Sequence, residues 1–187
     1  SDRAMGFCLF NNVAITARYL QRRHRLSRVM IIDWDVHHGN GTQHIFEEDP
    51  TVFYFSLHQF PLYPGTGRAD ERGRGAGEGY TLNCPLPPGQ GDDEYISVFE
   101  KSLRPVIEAF RPNFILISAG FDAHRDDPLA NMRVTEEGFG EMTRMVKDWA
   151  RLYCQGRVLS CLEGGYNLDA LARSVERHLE IYLSGDA

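Results

Sequence analysis

Asp33-Trp34-Asp35-Val36-His37-His38-Gly39-Asn40-Gly41 is the densest run of chemistry-bearing side chains in the sequence. Asp35 and His37 are two residues apart. In extended backbone such residues point the same way, so one carboxylate oxygen and one imidazole nitrogen can hold a single cation. Asp122, in Ser118-Ala119-Gly120-Phe121-Asp122-Ala123-His124, offers a third ligand from elsewhere in the chain. Two oxygens and a nitrogen, with room left for water, describe a catalytic zinc site rather than a closed structural one. Asp33 lies on the same face as Asp35. It reads either as a buried carboxylate satisfied by backbone amides, or as a group that orients the metal ligands or holds a harder monovalent cation. Tyr166 follows Gly164-Gly165. Two glycines permit a tight turn with close backbone approach, and a phenol held there can donate a hydrogen bond to a developing oxyanion. Taken alone, such a tyrosine is more often packing.

These residues need elements to position them. Five short apolar runs, at 28–33, 51–57, 80–84, 113–118 and 157–162, are rich in β-branched or aromatic residues. That is how strands covered on both faces read. Helical patterns lie between them at 11–24, 41–48, 92–110, 135–153 and 167–183, with Thr135 as a helix cap. Pro105 falls inside the 92–110 pattern, which is therefore kinked or restarted there. The alternation predicts an α/β domain over 1–187, three layers with a mainly parallel sheet. In open α/β sheets ligands bind beyond the carboxyl ends of strands. Asp35 and His37, then Ser56, Leu57 and His58, then Asp122 and His124, then Tyr166 follow four of the five runs. The Gly-rich stretch from Pro61 to Gly79 is long for a connection inside a compact domain, which marks it as functional or mobile. The charge run Arg68 to Arg74 reads as solvated loop.

Composition excludes several function classes. The chain has 187 residues and a formal net charge of −6, which disfavours a phosphate-gripping nucleic-acid binder. No apolar run is long enough for a membrane helix, and Ser1-Asp2-Arg3-Ala4 is not a signal-peptide core. Cys8, Cys84, Cys154 and Cys161 form no C-x-x-C pair and read as free thiols in a reducing compartment, so the expected location is cytoplasmic, or nuclear in a eukaryote. Among the remaining histidines, His24 reads as a solvated face, His44 and His178 as structural, and His58 and His124 as flanking the pocket.

The run Asp33 to Gln43 resembles the zinc-binding signature of the histone deacetylase family, with Trp34 and Asn40 closer to class II and its bacterial relatives than to class I. Met5-Gly6-Phe7-Cys8-Leu9-Phe10-Asn11-Asn12, Tyr63-Pro64-Gly65-Thr66-Gly67, Ser118 to Asp122 and Glu163-Gly164-Gly165-Tyr166-Asn167 match further family blocks in the right order. The resemblance implies an arginase/deacetylase-like fold and removal of acetyl groups from lysine side chains of histones or other proteins. It implies one zinc ion on Asp35, His37 and Asp122, and Tyr166 as the catalytic tyrosine. Gly6, Phe7 and Tyr63 would line the acyl-lysine channel, with tyrosine at 63 a departure from phenylalanine. Asp33, Ser56 and the carbonyls of Asp35, His37 and Leu57 would hold a structural potassium ion, His38 would support its neighbour, and Asn40 stands where class I carries aspartate. Polyamine-selective members resemble one another in a glutamate where this sequence has Leu129, which favours lysine side chains as substrate.

One departure concerns the proton acceptor. The family carries a His-His pair, in a Gly-His-His-Ala block, just ahead of the block that starts here at Met5, and a substrate-binding aspartate before it; the sequence starts at Ser1. The expectation is a C-terminal part of a catalytic domain, its N-terminal part missing. Two rival readings follow: an incomplete chain that only binds metal and acyl-lysine, and an acetylpolyamine deacetylase. A third, a two-metal hydrolase of the related arginase fold, is opposed by the Tyr166 block.

Overall fold

The computed structural model of the protein describes residues 4–185. Strand β1 (Val29–Asp33) lies at the middle of a five-stranded parallel sheet, with β2 (Val52–Gln59) and β3 (Thr81–Leu86) on one side, β4 (Phe114–Ala119) and β5 (Val158–Leu162) on the other. All five apolar runs are strands. The chain builds outward from β1 to β3, then returns to add β4 and β5 on the opposite side. The sequence order therefore reverses between β1 and β4, and a crevice opens beyond the carboxyl ends of two strands at such a point.

Helices cover both faces of the central strands, which is why β1 can be apolar from Val29 to Ile32. Helices α1 (Asn12–His24) and α2 (Asn40–Phe46) face Val29 and Ile31 in a core with Ala17, Phe46, Tyr54 and Leu116. The opposite face packs Met30, Ile32, Phe55 and Ile117 against Tyr95, Phe99, Leu103 and Trp149. Those last residues come from α3 (Asp92–Val98), a π-helical turn (Phe99–Leu103) and α5 (Glu136–Cys154); α4 (Arg104–Phe110) adds Ile107 to the same core, and α6 (Leu168–Leu183) packs against α5. The stretch predicted as one pattern over 92–110 is thus continuous but widened by the π turn. Pro105 follows the π turn directly, so the residue without an N–H falls where the regular i to i−4 ladder is already interrupted. Side chains of Asn11, Thr135 and Asn167 accept from Ala14, Gly138 and Ala170 amides and start α1, α5 and α6. The four cysteines are free.

The Gly-rich stretch is a built loop. Arg74 donates its amide to Glu47 O (2.7 Å) and Gly79 to Arg72 O (2.7 Å). A Cβ on Gly77 would lie 2.5 Å from Glu47 O, and one on Gly67 would lie 2.5 Å from both the His38 and His58 rings. The loop therefore closes over two imidazoles only because these positions lack side chains. The Arg68–Arg74 run is only partly solvated: Glu71 accepts from Gln43 Nε2 (2.7 Å) and from the Gly67 and Arg68 amides. At the other end of the sheet, β5 has no strand partner on its outer edge among the described residues, and Leu162 there is 61% exposed. An open edge with exposed leucines is a surface that pairs or packs with further chain.

Phe99 is fully buried, 5.8 Å from Phe55 and 6.1 Å from Trp149 between ring centroids. Phe99→Ala should destabilise by ~3–5 kcal/mol, since this packed aromatic layer closes poorly over a lost ring. Urea denaturation followed by tryptophan fluorescence checks this, and a loss below about 1 kcal/mol would contradict the packing described.

Candidate active site

Asp35 and His37 lie just beyond β1, and Asp122 just beyond β4, so the reversal point of the sheet brings them together. One ligand atom from each lies within 4.8 Å of the others, and they form the one cluster of potential metal ligands among the described residues. The His37 ring Nδ1 is 3.0 Å from Asp122 Oδ2 and 3.2 Å from Asp35 Oδ1. Backbone amides also hold the carboxylates: Val36 N–H donates to Asp122 Oδ1 (2.8 Å), His37 N–H to Asp35 Oδ1 (2.8 Å) and Gly164 N–H to Asp35 Oδ2 (3.1 Å).

Two glycines make room for this. A Cβ on Gly120 would lie 2.2 Å from Asp35 Oδ2, and one on Gly164 would lie 2.2 Å from Asp122 Oδ2. Two more carboxylates stand close by. Asp33, level with Ser56 on β2 and Ser118 on β4, accepts from Tyr54 O–H (2.8 Å) and from Asp35 N–H (3.1 Å). Glu163 is exposed as a residue, but its enclosed carboxyl end accepts from Ser118 O–H (2.9 Å). Burial and neighbouring negative charge push these acids up. Asp33 is held well above the carboxylate range by burial, Glu163 and Asp35. Asp122 rises to about 7 through burial and Asp35, and Glu163 rises to about 7 for the same two reasons. Burial disfavours the His37 imidazolium, but hydrogen bonds and charge from Asp122 and Asp35 outweigh it and raise its pKa to about 10. The cluster calls for positive charge, and its oxygen, oxygen and nitrogen donors around a glycine cradle suit zinc with an open position.

The aromatic residues assemble around this cluster. Met5 O accepts from Cys8 N–H (3.1 Å) across a tight turn whose central residues, Gly6 and Phe7, have φ of 57° and 61°. A left-handed conformation is strained for phenylalanine, and it leaves Phe7 89% exposed with its ring 6.1 Å from that of Tyr166. Tyr63 sits 6.3 Å from the His37 ring and 3.4 Å, through its hydroxyl, from the Gly6 amide. Gly6, Phe7, Tyr63, His37 and Tyr166 thus meet at one rim, and Leu129 is half-exposed in the loop after Asp122. Burial, with Asp122 and Asp35 nearby, raises the Tyr166 phenol to about 12, so it keeps its proton at neutral pH. Asn40, opening α2, reaches the Met5 sulfur at 3.6 Å.

Three histidines turn away from the cluster. His38 is bonded to Thr66 Oγ1 (2.7 Å) and Gln43 Oε1 (2.9 Å), so it anchors the Gly-rich loop. His58 and His124, expected to flank the pocket, are buried elsewhere. The first lies between Ser56 Oγ and Gly67 O, both at 2.9 Å; the second accepts from Asp126 N–H at one nitrogen and faces Glu136 with the other. His178 is a core residue bonded to Thr143 and Ser160, whereas His44, expected to be structural, is mostly exposed and pairs with Glu47. Glu163 and Asp127 were not singled out in the sequence. Each lies beside a motif, but only tertiary contacts bring its carboxylate to the site.

Two outcomes follow. Gly164→Ala should abolish metal binding while the domain stays folded, because its Cβ would displace the Asp122 and Asp35 carboxylates; metal analysis after dialysis against a weak chelator tests this, and full retention would contradict it. Metal must displace the His37 proton, and below about 7 also the Asp122 proton. Affinity should therefore fall as pH falls, by roughly one decade per pH unit above neutrality and more steeply below it. A pH-independent dissociation constant between pH ~6 and ~8 would be inconsistent with proton displacement.

The histone deacetylase domain model matches residues 1–182. The chain is 50% identical over 183 residues to "Histone deacetylase 14, chloroplastic" of Arabidopsis thaliana, covering 98% of this chain and 43% of that protein. It is 48% identical over 164 residues to "Probable deacetylase" of Archaeoglobus fulgidus, covering 88% of this chain and 45% of that one. The crystal structure of the HDA15 HD domain superposes with a TM-score of 0.90 at 48% identity, over 96% of this chain and 50% of that domain. The chain spans about half the length of these relatives. With its parallel sheet and matching fold, it belongs to the histone deacetylase family.

Proposed function

We propose that the protein is a zinc-dependent amidohydrolase, closest in kind to class II, that removes acetyl groups from lysine side chains of proteins or peptides. The observation that carries this reading is the Asp35–His37–Asp122 cluster with Tyr166, Phe7 and Tyr63 at its rim. Zinc, when bound, polarises an acyl oxygen and lowers the pKa of a water molecule. The chain's own residues do the rest. Phe7 and Tyr63 offer two aromatic faces to the aliphatic stem of a lysine, and Gly6 leaves space beside them. Tyr166, protonated at neutral pH, donates a hydrogen bond to the oxygen on which negative charge develops.

Asp33 and Ser56, level with each other on adjacent strands, together with the Asp35, His37 and Leu57 carbonyls, form the reading's potassium site. The proton acceptor in this reading is a histidine of the family's upstream pair, outside residues 1–187, because His38, His58 and His124 are engaged elsewhere. Leu129 offers no charge to a second amine, which supports acyl-lysine over acetylpolyamine. The reading places the protein in cytoplasm or nucleus; no helix of the described residues is long and apolar enough to cross a membrane.

Tyr166→Phe, made in a longer chain that includes the upstream pair, should lower kcat ~100- to 1000-fold with zinc retained. The same chain should prefer an acetyl-lysine peptide to acetylspermidine, and residues 1–187 alone should turn over at least ~100-fold more slowly. A Tyr166→Phe variant with undiminished turnover, a preference for acetylspermidine, or full activity of 1–187 would each overturn the corresponding part of this reading.

A further inference from the structure

Asp127 is a carboxylate that the proposed chemistry does not use, yet it is buried, 7% exposed, between the two loops that carry that chemistry. Its Oδ2 accepts from Tyr166 N–H at 2.7 Å and its Oδ1 from Leu129 N–H at 2.9 Å. Its own amide donates to His124 O at 2.9 Å, which fixes the backbone from which the carboxylate projects.

The loop it holds has one weak point. Gly165 has φ of +146°, a conformation that side chains rarely allow. On one side of that glycine, Gly164 is tied twice: its N–H donates to Asp35 Oδ2 (3.1 Å) and its carbonyl accepts from Phe121 N–H (2.7 Å). On the other side, the Tyr166 backbone amide is held by Asp127. The next tie is Asn167, whose side chain donates to Asp126 O (3.1 Å) while capping α6. Gly164 is thus fixed to the metal cluster, and Asp127 fixes the far side of a permissive glycine, from which the phenol projects.

We propose that Asp127 is the positioning residue for Tyr166: by binding the Tyr166 and Leu129 amides with its two oxygens it ties the two loops together and holds the phenol over the metal cluster. The inference rests on the reading of Tyr166 as the oxyanion donor. The position demands a carboxylate, because both partners are N–H donors. An asparagine of the same shape has one acceptor oxygen, and its amide NH2 would face an N–H. Misplacing a catalytic group by about 1 Å typically costs ~100-fold in rate, so Asp127→Asn should lower kcat ~10- to 100-fold, with KM and zinc content near those of the unmodified protein.

The test is a double-mutant cycle in the active, longer protein, with Asp127→Asn, Tyr166→Phe and both together assayed on an acetyl-lysine peptide. If Asp127 acts through the phenol, it costs less than about twofold in the Tyr166→Phe background, since coupled residues are non-additive. An equal loss in both backgrounds indicates general structural damage and overturns the proposal. Normal turnover by Asp127→Asn beside a crippled Tyr166→Phe overturns it while leaving the functional reading intact. Undiminished turnover by Tyr166→Phe overturns both.

A measurement independent of activity and of the variant's folding is amide hydrogen exchange in the unmodified protein. The Tyr166 and Leu129 amides should exchange slowly although their residues are partly exposed. In Asp127→Asn, where it folds, both should exchange faster while the Val36 amide, held by Asp122, is unchanged. Tyr166 exchange at the rate of a free loop amide would overturn the proposal.

Discussion

Everything at this site depends on placing several carboxylates beside one another with little water. Asp33, Asp35, Asp122 and Glu163 repel one another, and burying such charge is costly unless each oxygen has a donor or a cation. The structure meets that cost locally. Backbone amides of Asp35, Val36, His37 and Gly164 point at carboxylate oxygens, two hydroxyls add bonds, and the His37 imidazole lies between Asp35 and Asp122. The cluster's own positive charge is the single His37 proton, which a divalent metal would replace with a larger charge. Burial, and then the charge of Asp122 and Asp35, raise the Tyr166 phenol further above its ordinary value, so it stays a hydrogen-bond donor beside the acids that would hold the metal.

The fold supplies the frame for this. Strands β1 and β4 are neighbours at the reversal of the sheet, so residues 85 positions apart, His37 and Asp122, come within 3.0 Å. Both faces of the central strands β1, β2 and β4 are covered, which dries their ends and strengthens the interactions among them. Close approach then needs absent side chains: Gly120 and Gly164 at the cluster, and Gly67 over His38 and His58. The Gly-rich loop is held against the body through Glu47, Glu71 and His38, and it presents Tyr63 from this fixed base.

Much of this was legible in the sequence. The five apolar runs became the five strands, but only β1, β2 and β4 are covered on both faces, which is what a continuous apolar signature predicts; β3 is partly buried and β5 is largely open, with Leu159 and Leu162 exposed. The Asp35-x-His37 spacing and the Gly164-Gly165-Tyr166 turn encode local geometry, and local geometry survives folding. Boundaries were less legible. The 92–110 pattern contains a π turn, because hydrophobic spacing does not record whether a turn holds one residue more.

The sequence alone determined the strand-end residues, the candidate metal-ligating side chains, and the family resemblance, since these rest on nearby residues and their spacing. Only the tertiary structure decided which histidines face the site. The Asp35-x-His37 spacing marks His37, but nothing local decides whether its neighbour His38, or His58 and His124 at other strand ends, also reach the pocket; each is taken up by a partner distant along the chain or by a loop that closes on it. It also decided the parts played by Glu163 and Asp127. A carboxylate has no preferred partner by type, and its role is set by which hydroxyl or amide lies within about 3 Å once the chain has folded.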